Sequence, residues 1–325
     1  MTSRRMSDQS SNRSLAGKAV TYKALGGPEV IEIVERTVRA PAAGEVRMEV
    51  KAGAVNPTDI LLRDSGYGCQ TSLMVPGMDA AGIIESVGPG ASRLHAGEKV
   101  MAAVMPLRPE GGAQAQHIVV PAASVVPIPA GVSLAEASTL PMNGLTALYA
   151  LELAALKKGQ ILAVSGGAGL LAGYVIAVAK QRGIKVIADA KPADAELVRG
   201  YGADIVVERG LGFAKAIRRE LPNGADALLD TAILGEKSFG AIRDEGIYIP
   251  VRGWGDKPAA RGIVIKPVVV PNVLERTEWL ELLRHLVTGA KIKLHVAREY
   301  APEQTADAQR ALAAGGLRGR PVIRL

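Results

Sequence analysis

The chain of 325 residues is 48% apolar, 22% charged and 3% aromatic, with 37 glycines, 19 prolines, 4 histidines and 1 cysteine. At roughly 100–200 residues per domain, that length provides for two domains with separate cores. A lone cysteine rules out an internal disulfide framework and any four-cysteine or Cys2His2 zinc module, and a net charge of +7 suits an anionic small ligand better than nucleic acid.

Residues 1–17 are polar, carry three arginines and lack the apolar core of a signal peptide, so a disordered leader is expected. No apolar stretch approaches the length needed to cross a bilayer, and a soluble, cytoplasmic protein is expected. From 18 to 129 short apolar alternations recur at 18–22, 46–50, 81–87 and 117–120, punctuated by Gly and Pro. Such spacing predicts an antiparallel β domain. Ser133 and Glu136 have the spacing of a capping box, and helical spacing follows over 134–140 and 144–155.

From 160 the texture becomes strand–helix–strand. Continuous apolar runs at 161–165, 185–188, 205–207, 227–230, 247–251 and 263–265 alternate with helical segments at 170–182, 193–201 and 213–221. Strands apolar on both faces, separated by helices, predict a doubly wound parallel sheet. An amphipathic helix follows over 275–288, with Trp279, Leu282, Leu283 and Leu286 on one face. A helix at 304–314 and a strand at 321–325 close the chain. That strand is expected to return to the first domain, making it discontinuous.

The strongest local signal is Val164-Ser-Gly-Gly-Ala-Gly-Leu-Leu-Ala-Gly173, between a buried strand and a helix. Glycines let backbone N–H groups approach a pyrophosphate, and the helix N-terminus adds partial positive charge. Ser165, Gly166, Gly167, Ala168, Gly169, Leu170 and Leu171 are therefore candidate dinucleotide-binding residues. At the end of the next strand, Asp189 suits the ribose 2′-hydroxyl of NAD, whereas Lys191 suits the 2′-phosphate of NADP. Either side chain answers to the pattern. NADP(H) is preferred, with NAD(H) as the alternative.

Three further segments stand before the glycine turn in a fixed order: Val55-Asn-Pro-Thr-Asp59, Pro76-Gly-Met-Asp-Ala-Ala-Gly-Ile-Ile-Glu-Ser-Val-Gly88 and Pro141-Met-Asn-Gly-Leu-Thr-Ala147. Together with Gly315-Gly-Leu-Arg-Gly-Arg-Pro-Val-Ile323, the chain resembles the medium-chain dehydrogenase/reductase superfamily, in its zinc-independent quinone oxidoreductase branch. The resemblance implies a GroES-like antiparallel β domain over 18–140 and 277–325 and a Rossmann domain over 141–276. It also implies a cofactor cleft between them and a homodimer. The expected activity is hydride transfer from NADP(H) to a quinone or conjugated enone. An alkenal or enoyl reductase of the same superfamily is the nearest alternative, and a non-catalytic NADPH-binding sensor, structural or RNA-binding protein the more distant one.

The departures bear on the chemistry. Zinc-dependent relatives carry Cys where this chain has Asn56, and His-Glu where it has Met78-Asp79. Asn and Met supply neither the thiolate nor the imidazole of an open zinc site. His95, His117, His285 and His295 are isolated in sequence, so no metal is expected. By resemblance, Asn56 and Thr146 lie beside the nicotinamide, Tyr67 lines the substrate pocket as a candidate proton donor, and Arg320 lies near the cofactor phosphate. Asp59 reads as a buried structural hydrogen-bonder and Cys69 as an ordinary thiol. Arg252 and Trp254, on a loop after a strand of the parallel sheet, are candidates for contact with cofactor or substrate.

Overall fold

The computed structural model describes residues 13–69, 73–210, 212–255 and 259–325. They divide into two units. The first comprises the described residues up to Met142 with Leu274–Thr288 and Leu294–Leu325; the second comprises Asn143–Val273 and Gly289–Lys293.

The first unit is built on strands β1 (Leu15–Tyr22), β2 (Ile31–Val38), β3 (Glu45–Ala54), β4 (Asp79–Val87), β5 (Lys99–Ala103), β6 (His117–Pro121), β7 (Val125–Pro127), β14 (Val296–Tyr300) and β15 (Arg320–Arg324). A seven-stranded sheet runs β14-β15-β3-β4-β5-β7, with β6 also paired to β3, and β1 and β2 form a separate antiparallel ribbon. Val46, Met48, Val50, Ala80, Ile84, Val100, Ala102 and Ile118, alternate positions along their strands, belong to one apolar cluster.

Two findings differ from the sequence reading. Strand β1 begins at Leu15, so residues 15–17 of the expected leader are strand, with Leu15 opposite Val38. Leu15-Ala-Gly17 joined the ribbon because pairing with residues 36–38 of β2 satisfies its backbone; residues 1–12 lie outside the described region. The closing strand β15 pairs antiparallel with β3 but parallel with β14, so one pair in the sheet is not antiparallel.

The helix Thr305–Ala314 is tied into this unit by a buried polar chain. Gln309 Nε2 donates to Tyr22 Oη at 2.7 Å, and Arg63 Nη1 donates to Gln309 Oε1 at 2.6 Å. Tyr22 Oη in turn donates to the Asp59 carbonyl at 3.0 Å. Burial pushes the Tyr22 phenol well above its ordinary range, so it stays a neutral donor.

The second unit carries β8 (Ile161–Ser165), β9 (Lys185–Ala190), β10 (Ile205–Glu208), β11 (Ala225–Asp230), β12 (Ile242–Pro250) and β13 (Val264–Ile265). All pair in parallel, in the order β10-β9-β8-β11-β12-β13. Numbered within this sheet the order is 3-2-1-4-5-6, with its reversal between β8 and β11. Ligands of doubly wound sheets bind beyond the carboxyl ends of the strands at that reversal. The first connection out of β8 is the glycine turn, leading into the helix Leu170–Gln181.

Candidate functional site

The glycine turn is shaped by its own backbone limits. Gly166 has φ +71°, a left-handed conformation costly for any residue with a Cβ. A Cβ on Gly167 would stand 2.7 Å from the Asp189 carbonyl oxygen, so the backbone passes close against β9. Gly169 is the N-cap of the Leu170–Gln181 helix and offers no side-chain acceptor. The N–H groups of its first turn therefore have no intrahelical acceptor and face an end with partial positive charge. A cradle with no room for Cβ atoms, opening on such a helix end, fits a dinucleotide pyrophosphate. Ser165, Ala168 and Leu170 are buried within it, and Leu171 is half-buried.

Asp189 stands at this turn with its side chain directed inward. The Gly166 and Gly167 N–H groups both donate to Oδ1, the latter at 3.3 Å, and Gly167 N–H also donates to the Asp189 carbonyl at 3.0 Å. Burial raises the Asp189 pKa, opposed by those bonds and by Arg209. Lys191 lies two residues on and is exposed.

At the tips of β8, β11 and β12 a buried carboxylate joins three strands. Ser165 Oγ donates to Asp230 Oδ1 at 2.6 Å, while Tyr248 Oη and the Gly235 N–H donate to Oδ2 at 2.7 and 2.9 Å. Burial, then the hydrogen bond to Asp230, holds the Tyr248 phenol far above its usual range. Arg252 and Trp254 line a cavity of about 190 Å³ with Asp230, Ile233 and Tyr248. Trp254 packs at 5.0 Å from the Tyr248 ring and 5.5 Å from that of Phe239, so much of its surface is spent on an aromatic cluster.

In the first unit Asn56 precedes the helix Pro57–Ser65 and is fully buried. Its amide is held at both ends: Nδ2 donates to Asp79 Oδ2 at 2.7 Å, and Oδ1 accepts from Arg320 Nε at 3.0 Å. Asp79 Oδ1 also accepts from the Met142 N–H at 2.6 Å. Asp59 receives the backbone N–H groups of Asn56 at 2.8 Å and Gly77 at 2.9 Å, and Gln114 Nε2 at 3.3 Å. Burial pushes both carboxyls up to about 7, against the pull of their backbone donors and Arg320. The structure thus gathers Asn56, Asp79, Asp59 and Arg320 into one network, in which Arg320 meets an amide.

Tyr67 is 49% exposed with φ 42°, and Cys69 is half-buried two residues on. Thr146 is buried in the helix Pro141–Ala154, within the second unit, whereas Asn56 and Tyr67 belong to the first. The sequence reading missed Asp79, Gln114, Asp230, Tyr248 and Arg209 as site residues. Asp79 and Asp230 carried a signal, each being an acid at the end of a strand next to an apolar run. Gln114, on an irregular segment, carried none. Among the described residues no three His, Cys, Asp or Glu side chains group as a metal-ligand set, and no helix is long and apolar enough to cross a membrane.

Comparison with known proteins adds the following. Residues 42–130 match the family model described as the alcohol dehydrogenase GroES-like domain. The chain is 28% identical to a 2-methylene-furan-3-one reductase of Solanum lycopersicum, over 94% of this chain and 78% of the relative. It is 30% identical to an NADPH-dependent alkenal/one oxidoreductase of Arabidopsis thaliana, over 76% of this chain and 65% of the relative. A chloroplast envelope quinone oxidoreductase homolog of the same plant is 28% identical, over 95% and 99%. Among solved structures, the human synaptic vesicle membrane protein VAT-1 homolog-like protein superposes with a TM-score of 0.83 at 25% identity, covering 96% of this chain and 98% of that one.

Proposed function

This chain belongs to the medium-chain dehydrogenase/reductase superfamily, and we propose that it is an NADPH-dependent reductase of quinones and conjugated enones. The observation that carries this reading is the glycine turn at the sheet reversal, whose tight backbone at Gly166 and Gly167 leads into a helix N-terminus that has no side-chain cap. The named substrates of the relatives share an electrophilic carbon conjugated to a carbonyl, which favours hydride acceptors of that class.

When bound, NADPH supplies the hydride. The chain's residues bind, orient and handle charge. Amides of the first turn of the helix Leu170–Gln181 would hold the pyrophosphate, while those of Gly166 and Gly167 are engaged by Asp189. Addition of hydride to a conjugated acceptor places negative charge on a substrate oxygen, which hydrogen-bond donors must meet. Asn56, its amide set in one orientation by Asp79 and Arg320, and Thr146 are the proposed neighbours of the nicotinamide. The exposed Tyr67 phenol is the proposed proton donor. Zinc independence is part of the reading: Asn56 and Asp79 are committed to one another, without thiolate or imidazole. A cytoplasmic location and a homodimer complete the reading; the homodimer is supported by the edge strand β13, whose Val264 is 48% exposed.

The test is NADPH oxidation followed by absorbance, with quinones and alkenals as acceptors, before and after chelator treatment. Turnover unchanged by chelation is expected, and Tyr67→Phe should slow it while leaving NADPH affinity intact. Tight NADPH binding without turnover on any acceptor would replace the reductase with a non-catalytic dinucleotide binder.

A further inference from the structure

The parallel register of β9 and β10 sets Val207 against Asp189 and Glu208 against Ala190. Arg209 therefore stands one residue past β10, beside Lys191, one residue past β9. Its backbone is fixed there by donation to the Ala190 carbonyl at 2.8 Å. The Arg209 side chain is 47% exposed, and its Nε stands 3.9 Å from Oδ2 of Asp189, which is 3% exposed. That separation makes an ion pair without a hydrogen bond.

An acid at the end of the second strand of such a sheet ordinarily accepts the ribose 2′-hydroxyl and repels a 2′-phosphate. Asp189 is differently employed. Its Oδ1 holds the Gly166 and Gly167 amides, and its Oδ2 faces a guanidinium. The pair is neutral, and the exposed Lys191 adds a positive charge at the tip of β9. Arg209, with its planar donor fork, is suited to gripping a phosphate bidentately, whereas Lys191 acts as a point charge.

We propose that Arg209 recognises the adenosine 2′-phosphate of NADPH, and so sets the cofactor preference, while the Asp189 carboxylate serves the glycine turn. This rests on the dinucleotide-binding reading above and adds the residue that discriminates between the two dinucleotides.

The experiment measures dissociation constants of the full-length protein for NADPH and NADH by nicotinamide fluorescence, and for the fragments 2′,5′-ADP and 5′-AMP by calorimetry. One charge-assisted contact is worth about tenfold in affinity or more. Wild type is expected to prefer NADPH by at least about that factor. Arg209→Ala should lose about tenfold or more for NADPH and 2′,5′-ADP, while NADH and 5′-AMP hardly change. Arg209→Lys should recover part of the loss by restoring charge without the fork. Equal weakening for both dinucleotides, an unchanged NADPH constant, or a wild-type preference for NADH would each overturn the assignment. If wild type binds neither dinucleotide, the reductase reading itself fails. If it binds both and Arg209→Ala changes nothing, only the present inference fails.

Discussion

Gly167 shows how one missing side chain makes a site. A Cβ there would lie 2.7 Å from the Asp189 carbonyl and 3.0 Å from the Ala188 Cβ, both on a strand of the sheet that cannot yield cheaply. Gly167→Ala is therefore expected to weaken NADPH binding by about a hundredfold, the order that displacing several backbone–phosphate bonds entails. It should also lower thermal stability. Fluorescence titration and a melting curve check both, and unchanged NADPH affinity would place the pyrophosphate elsewhere. This turn was plain in the sequence because glycine spacing is a local property. Asp189 against Lys191 was not, because which side chain turns inward depends on two amides 22 and 23 residues earlier.

At the scale of elements, the polar chain Arg63–Gln309–Tyr22 shows what pins the closing helix Thr305–Ala314 to the first unit. Gln309 is fully buried with both ends of its amide engaged. Gln309→Ala leaves a buried guanidinium N–H and the Tyr22 hydroxyl without that partner, at a cost of about 2–3 kcal/mol. Urea denaturation should show this as a lower midpoint; a change below about 0.5 kcal/mol, the scale of unremarkable surface sites, would mean the helix is held by its apolar face alone. Periodicity made this helix and the six parallel strands legible, since apolar runs report burial directly. Strands β2, β5, β7 and β14 were not read. The last three span only 5, 3 and 5 residues, and all four owe their status to ladder partners outside their own segment.

For the molecule as a whole, Asp59 and Asp79 set a pH dependence. Their carboxyls, raised by burial to about 7, bind protons more tightly folded than unfolded. Stability from them is fully present below the unfolded carboxyl range near pH 4 and is lost as pH rises through about 7. Glu45 and Glu136 lie on the other side: hydrogen bonds from Arg39 and Ser133 hold them below their ordinary range, so they act only in acid. The melting temperature is therefore expected to fall between pH 5 and 8, read by scanning calorimetry in buffers of matched ionic strength. A melting temperature that rises across that window would show both acids to be ionised throughout.

Apolar periodicity and glycine spacing were enough to indicate two kinds of sheet and a tight glycine turn between strand and helix, because each is a property of neighbours along the chain. The orientation of Asp189, the union of Asn56 with Asp79 and Arg320, and the arrival of Arg209 beside Lys191 followed from folding alone. Those residues stand 18 to 264 positions apart in the chain. A carboxylate's role depends on which donors reach it, and donors are delivered by strand register and burial rather than by spacing in sequence.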